Sequence, residues 1–517
     1  MPTRSKVLQI STALFSVASV SFLYWFLFIP PFLPTEGNGI GDSLLYLAPG
    51  QRMYQGESIY RDVFEYVPPG TAVVNSLMFK IFGLRPWIPD LLALLLGLGL
   101  FWVGVVISRK LMPSGLALLP SAVFVVSARG FLNDPTHHWY SVLAALAAIA
   151  VLLEKRTTPR IAAAGLLCGI GGCFTQTRGL ASVLGFAVFL WWESRQRQQT
   201  RRELLKKEAW LLCSFLAALL AVNAYFIWEA GPARYFWCTV VFIIKYYPKG
   251  AYCNGFQTLR TEFPVFTSLG AFIDSFSHWV FFFVVVPLVF VLFFALYWRK
   301  FSHKPLEQRE RPMLLAIVGV FMLLSIAPAP DYPRLAASAP PALILLIWLL
   351  YSSRKFAQTL VVALTAGTLI AAFYLAVASR PHPVGILEGP HGEVAFTDST
   401  LYQEDIWIQQ HTHPSEYFYE PLLQDAYFYL DLRNPTPLSS IENNGYTPPE
   451  QVAEAIRGLN QHQVRYILWS PQALDIPETS KHSSKDYLGP LRDYLHSNYT
   501  LVKVFSNGDG IWGKKTE

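Results

Sequence analysis

Long apolar segments recur along most of the chain and restrict its fold more than any other feature. A helix that crosses the hydrocarbon core of a bilayer needs about 20 mainly apolar residues. Only 15% of the 517 residues are charged, whereas soluble proteins carry roughly a quarter. The sequence therefore predicts a polytopic α-helical membrane protein with about eleven spanning helices. The predicted spans are 8–31, 87–108, 113–130, 139–153, 160–176, 179–192, 209–228, 277–298, 312–328, 335–351 and 356–378.

The charges between these spans predict the topology. Loops on the cytoplasmic side of a membrane are enriched in Lys and Arg. All the basic loops fall on that side if the N-terminus is inside and if residues 71–83 do not cross the bilayer. Because that segment is short and contains Asn75 and Lys80, we interpret it as an interfacial helix. The chain is then N-in and C-out, and its net charge of +6 reflects loop topology rather than nucleic-acid binding.

A change of composition after Ser379 indicates a second domain. Residues 380–517 are too polar to span a membrane, and short strand-like runs alternate there with helix-like runs. Such alternation is typical of a small α/β domain, which the topology puts outside the cytoplasm. We therefore predict a transmembrane domain over 1–379, with interfacial helices in an outer loop at 34–86, and an extracytoplasmic α/β domain over 380–517.

The first outer loop contains the strongest candidate for acid–base chemistry. Asp42 follows the first predicted span at the membrane boundary, and apolar residues follow it. A partly desolvated carboxylate has a raised pKa, which suits a general base. A helix-capping aspartate is the structural alternative. Glu65 and Tyr66 lie in the same loop, just before two prolines, and are further candidates for the site.

The second outer loop is short and places Asp134, His137 and His138 between two predicted spans. Asp134 and His138 are four residues apart, close to the spacing that puts two side chains on one helix face. Aspartate and histidine together can bind a divalent cation. The structural alternative is that Asp134 caps a helix starting at Pro135 and that the histidines are interfacial residues.

Three predicted outer segments carry cations beside apolar surface, against the topological bias, and these cations therefore need a reason. They are Arg178, Lys245 with Lys249, and Arg334. Guanidinium groups match phosphate oxygens well, so these cations predict a site for a lipid phosphate. Snorkelling toward lipid headgroups is the alternative for each of them. Cys238 and Cys253 share one predicted outer loop, and the sequence leaves open whether they form a disulfide.

Several function classes lack their expected motifs. The chain has no phosphate-binding loop, no dinucleotide-binding fingerprint and no nucleophile elbow, so nucleotide-driven transport and ordinary hydrolysis are not supported. Ionisable residues are scarce in the middle of the predicted spans, and no internal repeat is apparent. A coupled transporter usually has ionisable residues at mid-membrane and internal repeat symmetry, so the sequence does not favour one.

The order of these motifs resembles the GT-C superfamily of membrane glycosyltransferases. The likeness is to the dolichyl-phosphate-mannose-protein mannosyltransferase-like and aminoarabinose-transferase-like group, and it covers most of the membrane region. Its elements are Asp42 after the first span, the segment YVPPGTAVVNSLMFKIFG, and the acidic loop NDPTHHW. Many relatives have a lysine immediately before the proline pair, where this chain has Val67. That departure shifts the expected phosphate contacts to Arg178, Lys245 and Arg334.

The resemblance implies an inverting glycosyltransferase of a bacterial-type inner membrane. Its donor would be a polyprenyl-phosphate-linked sugar, and its acceptor a protein, lipid or glycan at the outer face. Asp42 would act as the base, and Asp134 would assist it or hold a divalent metal with His137 or His138. The alternatives are a transporter or flippase for a lipid-linked glycan, and a non-catalytic scaffold or receptor that uses the outer domain.

Overall fold

Two compact units make up the fold. The computed structural model describes residues 35–36, 42–249, 258–260, 262–352, 357–378, 382–422, 425–443, 445–475 and 486–515, together with residues 18 and 21. One unit, here called the helical unit, comprises Met1–Leu27, Leu91–Val222 and Gly255–Arg380. The other, here called the mixed unit, comprises Phe28–Asp90, Asn223–Asn254 and Pro381–Glu517. The predicted first span, 8–31, lies almost entirely outside the described residues.

Helices follow the predicted apolar runs from residue 87 onward. In chain order they are α3 (Ile88–Arg109), α4 (Leu119–Ser127), α5 (Arg129–Leu132), α6 (His137–Leu152), α7 (Thr158–Gly172), α8 (Gln176–Gln196), α9 (Arg201–Ala230), α12 (Leu269–Trp279), α13 (Val286–Leu296), α14 (Leu306–Leu324), α15 (Tyr332–Ser352) and α16 (Ala357–Ala378). A π-helical turn at Val280–Val285 joins α12 to α13, and a second one at Tyr297–Phe301 follows α13. The run 113–130 is not one helix, because α4 begins only at Leu119 and Ala128 separates it from α5.

Four of the described helices are long and apolar enough to cross a membrane. They cover Ile88–Arg109, Arg201–Ala230, Ser275–Phe301 and Tyr332–Ser352. Length and composition thus support the predicted membrane fold. The predicted number of crossings and the predicted sidedness remain predictions.

Small residues let α7 pack closely against its neighbours. A Cβ atom at Gly165 would lie 2.2 Å from the carbonyl oxygen of Leu211, and one at Gly169 would lie 2.4 Å from that of Phe215. Both carbonyls belong to α9, so the two glycines allow backbone contact along that helix pair. At the start of α8, a Cβ at Gly179 would lie 2.4 Å from the Cα of Gly172. This close contact fixes the beginning of α8, which carries Arg178.

A buried ion network ties three parts of the helical unit together. Arg156, which follows α6, lies 2.8 Å from Glu193 of α8 and 2.6 Å from Glu310 of α14. Arg197 contacts the same two carboxylates at 3.1 and 2.6 Å. The side chains of Arg156, Glu193 and Glu310 are at most 9% exposed, so each buried charge has opposite charges in contact with it.

The mixed unit joins three separate stretches of the chain around one core. It contains β1 (Thr35–Glu36), α1 (Asp42–Tyr54), α2 (Gly70–Phe82), α10 (Pro232–Phe236), α11 (Phe242–Lys245) and the C-terminal elements. Its core includes Tyr60 and Phe64 from the first loop, Phe242, and Tyr419 and Trp469 from the C-terminal segment. The structure therefore groups the loop 34–86 with the tail, whereas the predicted division assigned that loop to the transmembrane domain.

The predicted interfacial segment 71–83 is a helix of the expected extent, α2. It packs on α1 where Gly50 faces it, since a Cβ at that glycine would lie 2.6 Å from the Cβ of Asn75. The Asn75 amide nitrogen donates a hydrogen bond to the carbonyl oxygen of Tyr46 at 2.9 Å. The polar residue that argued against a spanning helix thus links the two helices. The position of α2 relative to a membrane remains a prediction.

The C-terminal segment contains two three-stranded sheets. β3 (Gly392–Phe396) lies between β2 (Gly385–Gly389), which is antiparallel to it, and β1, which is parallel. In the second sheet, β6 (Gly510–Lys514) lies between β4 (Tyr466–Trp469) and β5 (Tyr499–Val504), antiparallel to both. The helices of this segment are α17 (Ser399–His411), α18 (Asp425–Tyr429), α19 (Pro449–Gln461), α20 (Pro471–Leu474) and α21 (Gly489–Asn498).

One run that the sequence predicts to be a strand does not form one. The run EYFYEP, residues 416–421, forms isolated bridges from Tyr417 to Arg433 and from Tyr419 to Ile467. Its alternation of polar and aromatic residues resembles that of a strand. The partners, however, lie in two different segments, so no continuous ladder forms.

Candidate functional site

Arg178 is a buried cation at the start of α8. Its side chain is 1% exposed, and its Nη1 donates to the carbonyl oxygen of His138 at 3.2 Å and to Oγ of Ser141 at 3.1 Å. In the described part of the chain it forms no ion pair, and its Nε has no hydrogen-bond partner. A buried guanidinium normally needs a carboxylate to offset the loss of water, so Arg178 retains unused capacity to bind an anion.

Arg334 lies in the first turn of α15 and is held by Asp331. Its Nη1 lies 3.1 Å from Oδ2 of Asp331 and donates to the carbonyl oxygen of Ala329 at 3.0 Å. The backbone nitrogen of Arg334 also donates to Oδ1 of Asp331 at 2.9 Å. Burial raises the pKa of Asp331, while the charges of Arg334 and Arg178 act to lower it. This carboxylate therefore interacts with both arginines.

The beginnings of three helices meet around these arginines. Arg178 of α8 contacts α6 through His138, and Thr175, just before α8, donates to the carbonyl oxygen of His137 at 3.3 Å. The ring of Phe131 stacks on that of Tyr332, the first residue of α15, with centroids 6.3 Å apart. Helix N-termini carry partial positive charge and unpaired N–H groups, which favour anions.

Both predicted phosphate-binding arginines of the helical unit therefore belong to one electrostatic cluster. The two guanidinium charges act on one another and on His137 and His138. Glu262 lies at the edge of this cluster, and its carbonyl oxygen accepts a hydrogen bond from the Tyr332 hydroxyl at 3.2 Å. Burial, with a smaller contribution from Asp331, raises the pKa of Glu262 to about 7.

The second predicted loop does not have the arrangement of a metal site. His137 and His138 are buried, with ring centroids 3.9 Å apart. Across the residues that the structure describes, no group of three or more His, Cys, Asp or Glu side chains is arranged to hold a metal ion. Asp134, His137 and His138, the predicted set, are therefore not arranged to hold one. The geometry therefore gives the metal hypothesis no support.

Asp134 does not cap the following helix. The N-cap of α6 is Thr136, and that helix begins at His137, so the alternative of a helix capped by Asp134 and starting at Pro135 is wrong. The carbonyl oxygen of Asp134 instead accepts a hydrogen bond from the backbone nitrogen of Thr136 at 2.8 Å. Its side chain is half-buried. The role of Asp134 as an assisting carboxylate remains a prediction.

The remaining predicted residues belong to the mixed unit. Asp42 is the first residue of α1, and its side chain lies outside the described set. Glu65 is buried, and its Oε1 accepts hydrogen bonds from the backbone nitrogens of Tyr66 and Val67, both at 2.9 Å. Burial raises the pKa of Glu65 to about 7. Glu65 thus shapes the turn that leads into Pro68.

Tyr66 and Lys245 lie in an aromatic part of the mixed unit. The Tyr66 ring stacks on Phe242 with centroids 5.5 Å apart. Lys245 is exposed, and its Nζ lies 5.1 Å from the centroid of the Tyr246 ring. Such a cation–π contact positions the ammonium group while leaving it accessible. Cys238 has a buried free thiol, and Cys253 lies outside the described residues.

Sequence reasoning missed the neighbours that hold the arginines. Asp331 lies three residues before Arg334, and this i,i+3 spacing at a helix start could have identified it as a partner. Ser141 lies one helical turn after His137 and could have been found only from the packing of α6 on α8. Glu262 lies in a loop of mixed polar and apolar residues, next to Arg260 and Thr261, and had no signal in the sequence.

Solved structures with the same fold exist, although sequence comparisons find no relative. No protein-family model matches the chain, and no curated protein matches it. The structure of ArnT from Cupriavidus metallidurans bound to undecaprenyl phosphate matches with a TM-score of 0.57 and 11% identity, over 98% of each chain. The same protein in the apo state gives 0.59 and 11%, over 99% of this chain and 98% of that one.

A third match is weaker. The arabinofuranosyltransferase AftD from Mycobacteria gives a TM-score of 0.47 and 13% identity, over 98% of this chain and 40% of that one.

The two ArnT matches cover essentially whole chains and confirm the fold implied by the resemblance in the sequence. The chain therefore has the fold of ArnT.

Proposed function

We propose that this protein is a membrane glycosyltransferase that moves a sugar from a polyprenyl-phosphate-linked donor to an acceptor. The fold supports this proposal, since one of the matching ArnT structures is bound to undecaprenyl phosphate. The observation that carries it is the buried Arg178, which has no carboxylate partner in the described part of the chain. A lipid phosphate would supply the missing negative charge.

The donor phosphate binds at the cluster of Arg178 and Arg334 in this proposal. Arg178 offers its unpaired Nε, and Arg334 is held in place by Asp331. Bidentate contacts between guanidinium and phosphate are strong for two reasons. The two groups have opposite charges, and the planar fork of N–H donors matches a pair of phosphate oxygens. Lys245 remains a third candidate cation for the donor phosphate, as the sequence predicts.

The reaction is a direct displacement at the anomeric carbon. A hydroxyl or amine of the acceptor attacks this carbon, and the bond from the carbon to the phosphate oxygen breaks. Asp42 accepts the proton from the attacking group, with Asp134 as an assisting carboxylate. The polyprenyl phosphate leaves with the bonding electron pair, and the cations stabilise its developing charge. One displacement inverts the configuration at the anomeric carbon.

The location of the reaction follows from the predicted topology. Basic loops on the cytoplasmic side would put Asp42, Arg178, Lys245 and Arg334 at the outer face of a bacterial-type inner membrane. The α/β segment would then lie outside the cytoplasm. A flippase for the same lipid would also need a phosphate site, so the decisive experiment has to detect sugar transfer itself.

Asp42→Asn tests the catalytic part of the proposal. Membranes that contain the wild-type protein receive labelled polyprenyl-phosphate mannose, glucose or aminoarabinose, and labelled product is measured. The variant should transfer about 10²-fold or more slowly, because the amide cannot accept a proton, while still binding donor. Asp493→Asn is the control, since Asp493 is an exposed carboxylate of α21.

Full transfer by Asp42→Asn would contradict the assignment of the base. Wild-type protein that moves the lipid between the leaflets of vesicles without forming product would favour the flippase. Both results are read from the same preparation, so a failed base assignment is distinguishable from a failed function.

A further inference from the structure

The mixed unit contains a cavity that the proposed reaction does not use. Its volume is about 620 Å³, within the range of roughly 300–1,000 Å³ typical of small-molecule sites. One wall comes from α1 and the turn that follows it. The other comes from residues 432–437 and the end of α19. Both walls lie in the mixed unit, so the cavity is defined within a single compact body.

Hydrogen bonds between the two walls hold the cavity open. Arg52 donates through Nη1 to the carbonyl oxygen of Thr436 at 2.7 Å and through Nε to Glu57 at 2.9 Å. Gln51 donates to the carbonyl oxygen of Tyr427 at 2.8 Å. Because the bonds to Thr436 and Tyr427 join segments far apart in the sequence, the polar lining is fixed in the folded unit. A preorganised site loses less entropy when a ligand binds.

Other lining residues keep their hydrogen-bonding groups available. Gln55, Arg433 and Gln461 line the cavity with exposed side chains. In the described part of the chain, these three side chains form no hydrogen bond or ion pair. Amide groups both donate and accept, and guanidinium donates. This mixture matches a ligand whose groups also do both, as hydroxyl groups do.

An aromatic surface lies beside these polar groups. The rings of Tyr417 and His462 stack with centroids 3.9 Å apart and an interplanar angle of 26°, and both residues line the cavity. A sugar ring has an apolar face of C–H groups and a rim of hydroxyls. Flat amphipathic rings next to amides and charged groups provide a complementary surface for that shape.

The charges of the cavity argue against a strongly charged ligand. Arg52 and Arg433 are balanced by Glu57 and Asp62. Burial lowers the pKa of His462, although Glu57 acts to raise it, so this imidazole is neutral at pH 7. A phosphate would meet two carboxylates, and an ammonium ion would meet two guanidinium groups. A neutral polyhydroxylated ligand meets neither repulsion.

We propose that this cavity is a binding site for a neutral saccharide. Its lining residues all belong to the mixed unit and include none of the proposed donor-phosphate cluster, and the proposal does not depend on sugar transfer. If the proposed function holds, the ligand would be the glycan portion of an acceptor. A saccharide site in the mixed unit would then select the acceptor, while the helical unit binds the donor lipid.

Binding of free sugars to the purified full-length protein in detergent tests the proposal. The probes are glucose, galactose, mannose, N-acetylglucosamine and their disaccharides, followed by saturation-transfer NMR and titration calorimetry. We expect at least one probe to bind with a Kd of about 10 mM or tighter. The double variant Arg433→Ala/Gln461→Ala should weaken that binding by about tenfold or more, since two groups that donate to hydroxyls are lost.

The variants are chosen so that folding is preserved. Arg433 and Gln461 are exposed and form no side-chain bonds in the described protein, so removing them should leave the unfolding temperature unchanged. Arg457→Ala is the matched control, because Arg457 lies on α19 and outside the cavity, with its side chain 70% exposed. Gln55→Trp fills the cavity from an exposed position and should also abolish binding.

Three results would overturn the proposal. The first is an absence of binding by every probe at about 10 mM. The second is binding that the double variant and Gln55→Trp leave unchanged. The third is binding of inorganic phosphate, dependent on Arg433, in place of any sugar. None of these results bears on the transfer assay with Asp42→Asn, so the two proposals can fail independently.

Discussion

Arg156 and Arg178 are both buried in the helical unit, yet their electrostatic surroundings are opposite. Arg156 contacts the carboxylates of Glu193 and Glu310 at 2.8 and 2.6 Å. Arg178 donates to a carbonyl and a hydroxyl, with no carboxylate in contact among the described residues. The first arrangement is structural, because Arg156 links α8 and α14 through the two carboxylates. In the second arrangement the nearest negative charge is that of Asp331, which already pairs with Arg334, and we propose that a bound lipid phosphate supplies the rest.

The difference follows from the cost of burying charge. Moving one ion out of water costs several kcal/mol even after the protein relaxes, and a partner of opposite charge has to offset it. Arg156 has such partners within the fold. For Arg178 the nearest compensation comes from Asp331, which is already paired with Arg334. Uncompensated buried charge is a common feature of functional sites.

Removing each arginine should therefore affect stability differently, and this is the largest effect we expect. Arg156→Met leaves the buried Glu193 and Glu310 with Arg197 as their remaining arginine partner, and should destabilise the protein by about 2–3 kcal/mol. Arg178→Met removes a buried charge that lacks a carboxylate and should leave stability unchanged or raised. The measurement is unfolding of both purified variants in detergent. A larger loss for Arg178→Met would show that this cation is structural.

Asp331→Asn sharpens the comparison by removing negative charge from the cluster. The amide oxygen can still accept from the backbone of Arg334, while the charge that attracts both arginines is gone. We expect affinity for a phosphate-bearing lipid to rise by about three- to tenfold, a change of about 1 kcal/mol that is typical of a partly exposed charge pair. Weaker binding would mean that Asp331 mainly orients Arg334.

Binding of the donor should also depend on pH through Glu262. The pKa of this carboxyl is raised to about 7, so it is protonated below that pH and negatively charged above it. The charge appears beside Asp331 and opposes an incoming phosphate. Affinity for a polyprenyl phosphodiester should therefore fall about two- to threefold as the pH rises from 6 to 8, because the charge is only partly buried. Glu262→Gln should bind equally at both pH values.

The sequence was sufficient to predict where most helices of the helical unit lie and that Arg178 and Arg334 each fall near a helix start. Apolar runs gave the positions of α6, α8 and α15, because burial in lipid or protein requires continuous apolar surface. Arg178 and Arg334 were selected because cations on the outer side need a reason. Their mutual proximity depends on how α6, α8 and α15 pack, which no local pattern encodes.

Other features depend on tertiary packing and could not be predicted from the sequence. The first loop packs around Tyr60 and Phe64 in a common core with the C-terminal segment, although more than 300 residues separate the two segments in the sequence. EYFYEP alternates like a strand yet forms only two isolated bridges. The saccharide cavity depends on contacts such as that of Arg52 with Thr436. Long-range contacts of this kind have no signature in a single sequence.

Binding of lipid to Arg178 variants tests the central claim most directly. Undecaprenyl phosphate and undecaprenol are titrated against wild type, Arg178→Met and the control Arg195→Met, which removes an exposed cation from the same helix. Wild type and control should prefer the phosphate, and Arg178→Met should lose about 30-fold or more of that preference, since about 2–5 kcal/mol is typical for truncating a buried charge pair. An unchanged preference in Arg178→Met would contradict the account.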